Sequence, residues 1–174
     1  MKNRYEVRGD VVVIFLDRKD GSTLETLIDL EDLPKVQAFK NKWSAVKDPT
    51  TGNFYVQGRL DGKKVRLHRY LMDAPPDKQV DHIDSDTLNN RRKSNLRLVT
   101  NAQNAQNKKG ARADNKSGRL GVSYHSRLKK YQARVMVDGV SHYLGTFSDP
   151  DIAERVVKEA RARLMPYSKE GRHV

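Results

Sequence analysis

Residues 80–107 concentrate the side chains of this sequence that could do chemistry. The segment holds an adjacent Asp81 and His82 and two later asparagines, Asn95 and Asn104. A hard divalent cation such as Mg²⁺ or Mn²⁺ prefers oxygen ligands, and the Asp81 carboxylate and the Asn104 amide are of that type. A neutral His82 imidazole can take a proton from a water molecule. These residue types predict a site that holds a metal ion against a phosphate group and hydrolyses a phosphodiester.

The pattern around this segment predicts the elements that position those side chains. Residues 80–82 are typical of a strand end and residues 96–99 of a returning strand, and Thr100 opens a capping-box pattern that begins a helix. A strand, a loop, a strand and a helix in so short a space would bring the Asp-His pair near the start of that helix. Asn104, one turn into the helix, would face the pair.

Two more residues are candidates for the same site. Asn95 lies where the loop returns, and its side-chain amide can bond the loop backbone and so fix the imidazole. His68 stands in a short helix that ends before Pro75, because a residue preceding proline disfavours the helical conformation. His68 either contacts the phosphate or packs its own helix, and both alternatives stay open.

The pattern of Asp81-His82, Asn95 and Asn104 resembles the HNH, or ββα-metal, nuclease motif. The run NNRRKSNLRLVT at 89–100 and the preceding His-Arg helix are similar to the phage homing endonucleases of that family, in which the last ligand is Asn rather than His. The resemblance covers residues 66–107. It implies a DNA endonuclease in which Asp81 and Asn104 bind one Mg²⁺ or Mn²⁺ ion per active site, His82 is the general base and Asn95 is structural. It argues against zinc.

The loop between the two predicted strands carries a basic cluster. Arg91, Arg92 and Lys93 either contact the DNA backbone or form a solvated loop. Asn89 and Asn90, which precede them, are interpreted as turn formers.

The net charge predicts a polyanionic partner. The 174 residues carry 34 Lys and Arg against 22 Asp and Glu, a formal charge of +12, and a protein this basic most often meets a nucleic acid. Residues 108–174 hold +8 of that charge, so the main DNA-holding surface is predicted there. The absence of cysteine excludes disulfides, cysteine-based zinc sites and thiol nucleophiles. No apolar run reaches transmembrane length, which favours a cytoplasmic protein.

Residues 118–165 resemble the apetala-type DNA-binding fold of plant ethylene-response factors, which is also found appended to phage HNH nucleases. The residues that carry the resemblance are Gly121-Val122, YQARVMVDG at 131–139, YLGTF at 143–147, and an Ala- and Val-rich helix that Ser148 is predicted to cap. The resemblance implies a three-stranded sheet that enters the major groove, with the helix behind it. The plant family's target sequence does not carry over, because Ser123, Met136 and Tyr143 replace its arginines and tryptophans.

Alternation of apolar and polar residues supports the same arrangement. Ala133 and Val135 are predicted to face the helix, whereas Arg134 and Met136 point away from it. Arg134 is the first candidate for reading a base edge, Arg127 is the next, and the two following lysines are predicted phosphate contacts. The alternative is a small solvated sheet with scattered basic residues. The full set of residues predicted to contact DNA is Arg91, Arg92, Lys93, Ser123, His125, Arg127, Lys129, Lys130, Gln132, Arg134, Met136 and Tyr143.

The sequence therefore predicts an α+β protein of several modules. They are a β-rich N-terminal part at 1–60, a central ββα-metal HNH nuclease module at 61–107, a basic linker at 108–117, and a domain at 118–174 with a three-stranded antiparallel sheet packed on one helix. The near-neutral charge of residues 1–60 favours a supporting role for that part.

The predicted function is a metal-dependent, site-directed DNA endonuclease of homing type, acting on double-stranded DNA inside a phage-infected bacterium. No membrane and no small-molecule substrate are expected. Each chain carries one site, as a monomer or a homodimer, so cutting both strands needs a dimer or two encounters. The first alternative is a sequence-specific DNA-binding regulator with a vestigial nuclease site. The second is a structural or RNA-binding protein that uses the same basic surface.

Overall fold

The computed structural model describes residues 1–107, 110, 111 and 114–173. Residues 172 and 173 are described by their backbone alone. The chain divides into two compact units, Met1–Thr100 and Asn101–Val174. Both units combine helices with small antiparallel sheets, and the predicted α+β class is confirmed.

The first unit begins with a three-stranded antiparallel sheet in which the middle strand is the most apolar. Its strands are β1 (Tyr5–Arg8), β2 (Val11–Asp17) and β3 (Thr23–Asp29), in that order across the sheet. The β-branched run that begins β2 favours a strand, and Val12, Val13 and Ile14 are buried. A hairpin turn that contains Asp20 and Gly21 joins β2 to β3.

Short helices and a second sheet follow. A 3₁₀ turn at Leu30–Asp32 leads into helix α1 (Leu33–Gln37), and the second sheet has the order β4 (Ser44–Lys47), β5 (Phe54–Leu60), β6 (Lys63–Arg66). Helix α2 (Leu67–Leu71) follows at once, and then β7 (Gln79–His82) pairs antiparallel with β8 (Leu96–Val99). The last two strands are those that the polar motif predicts.

One hydrophobic core runs through the first unit. Its buried side chains come from β2, β3, α1, β5, α2 and β8 and include the stacked rings of Phe39 and Trp43, 4.0 Å apart. Gly58 on β5 lies against both rings, where an added Cβ would come within 2.5 Å of Phe39. The elements before residue 60 therefore share a core with the elements that carry Asp81 and His82.

The second unit contains one sheet with a helix packed on it. Its elements are α3 (Asn101–Gln106), β9 (Val122–His125), β10 (Lys130–Val137), β11 (Val140–Phe147), α4 (Pro150–Leu164) and a 3₁₀ turn at Glu170–His173. The strands are antiparallel in the order β11-β10-β9. Val122, Ala133 and Val135 of the sheet pack against Ala153 and Val157 of α4.

One detail of α4 differs from the sequence prediction. The side chain of Asp149, not that of Ser148, accepts a hydrogen bond from the Asp151 amide and caps the helix. On the helix, Ala153 is fully buried and Ile152 is 40% exposed. The helix approaches Gly121 closely, because a Cβ added to Gly121 would lie 2.7 Å from Val157.

The predicted linker at 108–117 is described in part. Residues 108, 109, 112 and 113 lie outside the described residues. Asn115 donates its amide hydrogens to the backbone oxygens of Arg119 and Val122, and the Ser117 hydroxyl also bonds Val122. These bonds fold residues 115–119 into the turn that leads into β9.

Candidate active site

Strand pairing places a cation beside the predicted metal ligand Asp81. In the register of β7 and β8, Asp81 lies opposite Arg97. Asp81 Oδ2 accepts hydrogen bonds from Arg97 Nε at 2.9 Å and from Nη2 at 2.7 Å. The carboxylate is buried, so this two-bond ion pair orients it.

The imidazole of His82 lies in a buried pocket of polar and aromatic groups. His82 is 5% exposed, its Nε2 is 3.3 Å from Asn90 Oδ1, and its ring centroid is 5.1 Å from that of His68 and 6.2 Å from that of Tyr55. Burial lowers the pKa of His82, whereas the bond to Asn90 and the charge of Asp81 act in the opposite direction. A neutral imidazole can accept a proton.

His68 is a second buried imidazole at the same place. It is 8% exposed, and among the described residues its Nδ1 has no hydrogen-bond partner. Burial, followed by the charges of His82 and Arg66, lowers the pKa of His68 to about 3. His68 is therefore neutral at physiological pH, and it packs its short helix while facing the general-base candidate.

Neutral burial of His68 makes the fold sensitive to acid. The unfolded chain binds a proton on this imidazole below about pH 6.5, whereas the folded chain binds it only near pH 3. The contribution of His68 to the free energy of unfolding therefore falls as the pH drops through that window, and it does not change with pH above the window. Per buried histidine the slope is about 1.4 kcal/mol per pH unit. Urea unfolding at pH 7.5 and 5.0 measures it. We expect His68→Gln to reduce the slope, since buried His82 still contributes to it, and His142→Gln, at an exposed strand position, to leave it unchanged. Equal slopes in all three proteins would contradict this.

Asn95 holds the loop between β7 and β8. Its Oδ1 accepts from the Asp84 amide at 2.8 Å, and its Nδ2 donates to the backbone oxygens of Asn89 at 2.7 Å and Asp86 at 3.3 Å. Its own backbone oxygen accepts from the Ile83 amide. One buried amide thus fastens both limbs of the loop that surrounds the imidazole.

Asn90 is a residue of the site that sequence reasoning missed. It is not a turn former but a fully buried side chain that reaches His82. Its amide nitrogen donates to Thr26 Oγ1 on β3. No local pattern distinguishes Asn90 from the neighbouring Asn89, because the partners of Asn90 come from elsewhere in the chain.

The basic cluster at 91–93 is paired with acidic residues of the N-terminal part. The ion pairs are Arg91 with Asp10 and Asp29, Arg92 with Glu31 and Asp32, and Lys93 with Glu31. The Asp29 and Asp32 side chains are almost completely buried. Burial raises the pKa of Asp32, and the Arg92 charge opposes that shift. These cations fasten the loop to the N-terminal elements, a role that the sequence did not predict, and their contact with DNA stays a prediction.

Asn104 lies on α3, in the second unit. Its backbone oxygen accepts from the Asn107 amide. Two residues on, the backbone oxygen of the buried Gln106 accepts from Arg161 Nη2 at 2.9 Å. Arg161 is itself buried on α4 and pairs with Glu170. Helix α3 is therefore fastened to α4 within its own unit.

Comparison with known proteins identifies the family. A family model described as HNH endonuclease matches residues 73–106, which include Asp81, His82, Asn95 and Asn104. An uncharacterized HNH endonuclease of Acanthamoeba polyphaga mimivirus is 31% identical over 153 residues, which cover 84% of this chain and 74% of the viral protein. The chain belongs to the HNH endonuclease family. No solved structure matches it.

Membership of the HNH endonuclease family confirms the predicted enzyme class, a DNA endonuclease. Within the described part of the chain, no helix of this HNH endonuclease is both long and apolar enough to cross a bilayer.

The C-terminal sheet of the HNH endonuclease has one face that α4 does not cover. Ala133 and Val135 are buried under α4, whereas Arg134, Met136 and Tyr143 are exposed. The Arg134 guanidinium lies over the Tyr143 ring, 5.7 Å from its centroid. The cross-strand pairs here are Arg134 with Tyr143 and Gln132 with Ser123. The exposed face thus combines an arginine with aromatic and polar side chains.

The turn between β9 and β10 carries the remaining basic candidates. Arg127, Lys129 and Lys130 are exposed. His125 is partly buried, and its Nδ1 accepts a hydrogen bond from the Leu128 amide at 3.3 Å. This bond stabilises the turn next to which the three basic side chains lie.

Proposed function

We propose that this HNH endonuclease is a site-directed, divalent-metal-dependent enzyme of homing type that hydrolyses a DNA phosphodiester with His82 as general base. The observation that carries the proposal is the buried imidazole of His82, next in sequence to the buried Asp81 and inside the segment that the family model matches. Burial lowers the pKa of His82 and so favours the neutral imidazole, which is suited to taking a proton from an attacking water.

The other side chains of the first unit support that proton transfer. Asn95 fixes the loop around His82 through its bonds to Asp84, Asn89 and Asp86. His68 lines the wall of the pocket and excludes water from one side of the His82 ring. An imidazole held in one place accepts the proton without first paying for reorientation.

The metal ligands in this proposal are the Asp81 carboxylate and the Asn104 amide. The donor set fits a hard ion, because both groups offer oxygen and the chain contains no cysteine. The family match spans both residues. When bound, one Mg²⁺ or Mn²⁺ ion stabilises the charge that develops on the phosphate and on the leaving oxygen.

We propose further that the C-terminal unit is an apetala-type reader of double-stranded DNA. Its uncovered sheet face offers Arg134 for a base edge, with Gln132, Ser123, Met136 and Tyr143 around it, and its basic turn offers Arg127 and two lysines for phosphates. The positive charge of residues 108–174 supports the same role.

The proposal is tested with supercoiled plasmid, long linear double-stranded DNA and single-stranded RNA. With Mg²⁺ or Mn²⁺ we expect nicked or linear plasmid, and with EDTA we expect intact plasmid. Specific binding of double-stranded DNA without cutting under any divalent metal would favour the DNA-binding regulator. Salt-dependent binding that prefers single-stranded RNA would favour the RNA-binding protein.

Arg134→Ala tests the reader. Loss of one bidentate base contact is expected to weaken binding to the preferred site by about 1–3 kcal/mol and to relax the base preference at one position. The matched control is Arg155→Ala, an exposed arginine on α4, which should change neither. Both variants are compared by electrophoretic mobility shift on a randomised library. An unchanged base preference in Arg134→Ala would remove Arg134 from the reader.

A further inference from the structure

Asn90 is a buried side chain to which the mechanism above gives no part. It is 0% exposed, and so is Thr26 on β3. The two residues are 64 positions apart and are joined by a hydrogen bond of 2.9 Å from Asn90 Nδ2 to Thr26 Oγ1. On its other side, Asn90 Oδ1 lies 3.3 Å from Nε2 of His82.

The loop that contains Asn90 is fastened to β3 by its backbone as well. The Leu27 amide donates to the Leu88 oxygen at 3.0 Å, and the Asn90 amide donates to the Leu27 oxygen at 2.8 Å. The Asn90 side chain therefore has little freedom to move relative to β3. What remains to be decided is whether the NH₂ group or the carbonyl oxygen of the Asn90 amide faces Thr26, with the other group facing His82.

The hydrogen bonds decide that orientation. The backbone oxygen of Leu88 can only accept, and the Thr26 hydroxyl lies 2.6 Å from it, so the single hydroxyl hydrogen of Thr26 is donated there. Thr26 Oγ1 then acts toward Asn90 only as an acceptor. The group of Asn90 that faces Thr26 must accordingly be its NH₂, which also lies 3.3 Å from the Leu88 oxygen. If the amide were flipped, its carbonyl oxygen would face the Leu88 oxygen, and neither of these two acceptors could donate a hydrogen bond to the other.

The same logic assigns the hydrogen on His82. With its NH₂ turned toward Thr26, Asn90 presents its carbonyl oxygen to His82 Nε2. A carbonyl oxygen only accepts, so Nε2 must carry the hydrogen. A neutral imidazole has one N–H, and the lone pair is therefore on Nδ1.

We propose that Thr26 and Asn90 are positioning residues that hold neutral His82 as the Nε2–H tautomer, so that Nδ1 takes the proton of the attacking water. This inference rests on the proposed role of His82 as general base. In the step, a water O–H bond breaks, its proton bonds to Nδ1, and the oxygen's electron pair forms the bond to phosphorus. The bond between phosphorus and the leaving oxygen of the phosphodiester breaks, and that oxygen keeps the electron pair and takes a proton from solvent water. The imidazolium that results keeps its Nε2–H bond to Asn90, as an orienting partner does in other histidine sites.

The first test needs no substitution. In the metal-free protein, labelled with ¹⁵N in its histidines, long-range ¹H–¹⁵N spectra at pH 8 report which ring nitrogen of His82 carries hydrogen. The His82 signals are assigned as those that His82→Gln lacks. We expect the Nε2–H tautomer. A pure Nδ1–H tautomer in a protein that cleaves DNA would overturn the inference and leave the proposed function intact. An Nε2–H tautomer in a protein that cuts no DNA with any divalent metal would support the assigned tautomer and overturn the proposed function.

The second test removes the Thr26 hydroxyl. Thr26→Val keeps the shape of the side chain but frees the Asn90 amide to flip, so we expect a mixed His82 tautomer and a cleavage rate lower by about 10–100-fold, with an unchanged Kd for double-stranded DNA. Thr26→Ser restores the hydroxyl and should recover most of the rate. Thr23→Val, at an exposed position of the same strand, is the matched control. Wild-type tautomer and rate in folded Thr26→Val would overturn the inference, and if that variant does not fold, the wild-type spectrum decides.

Discussion

Replacement of His82 by alanine is expected to slow DNA cleavage by about 10²–10⁴-fold, the usual contribution of a positioned general base. The reason is that the first unit contains only one other imidazole, that of His68, which packs against His82 with its ring centroid 5.1 Å away and lines the pocket wall. Single-turnover cleavage with enzyme in excess measures this step free of product release.

Binding separates loss of chemistry from loss of DNA affinity. His82→Ala should keep the wild-type Kd for double-stranded DNA, because the proposed reader lies in the second unit. His142→Ala, an exposed histidine of β11, is the matched control and should keep both rate and affinity. A wild-type cleavage rate in His82→Ala would show that the base is another group.

The second large effect is expected from Asp81→Ala. Removal of a charged metal ligand weakens metal binding and takes away several kcal/mol of charge stabilisation, so we expect cleavage to fall by about 10²–10³-fold. The apparent affinity for Mn²⁺, followed by the electron paramagnetic resonance signal of the free ion, should fall with it. The metal readout is independent of catalysis.

The control for Asp81→Ala must account for its buried partner. Asp77→Ala removes an exposed carboxylate four residues earlier and should leave Mn²⁺ binding and cleavage unchanged. Loss of Asp81 also removes the two hydrogen bonds that the Arg97 guanidinium donates to this carboxylate, so the free energy of unfolding is compared as well. Wild-type Mn²⁺ affinity in a folded Asp81→Ala protein would contradict the assignment.

Local pattern predicted much of the site. Alternation and turn residues predicted strands at 80–82 and 96–99, and the observed strands are Gln79–His82 and Leu96–Val99. The predicted helix begins at Asn101, one residue after Thr100. These elements are short and their signals lie within a few residues, so the sequence is sufficient to find them.

Long-range partners could not be predicted in the same way. Thr26 reads as an ordinary strand residue and Asn90 as a turn residue, yet each is buried and bonded to the other. Likewise the sequence offers Arg91 either as a DNA-backbone contact or as part of a solvated loop, whereas its ion pairs with Asp10 and Asp29 join positions more than 60 residues apart. Tertiary packing decides pairs of this kind, and the periodicity of apolar residues along the sequence does not predict them.

The same limit applies to which face of a helix is buried. The apolar residues of α4 include both Ile152 and Ala153, and the structure buries Ala153 completely but leaves 40% of the larger Ile152 exposed. A hydrophobicity pattern ranks side chains by transfer energy and does not contain the packing distances that decide which of them the sheet covers.

Single-turnover cleavage by the double variant Asp81→Ala/His82→Ala, beside wild type, tests most directly the claim that these two residues serve one reaction. Because residues acting on one step are not additive, we expect the double variant to be no slower than the slower single variant, with double-stranded DNA bound as in wild type. Wild-type protein should cut in Mg²⁺ and not in EDTA. Metal-dependent cleavage by the double variant at the wild-type rate would contradict the account.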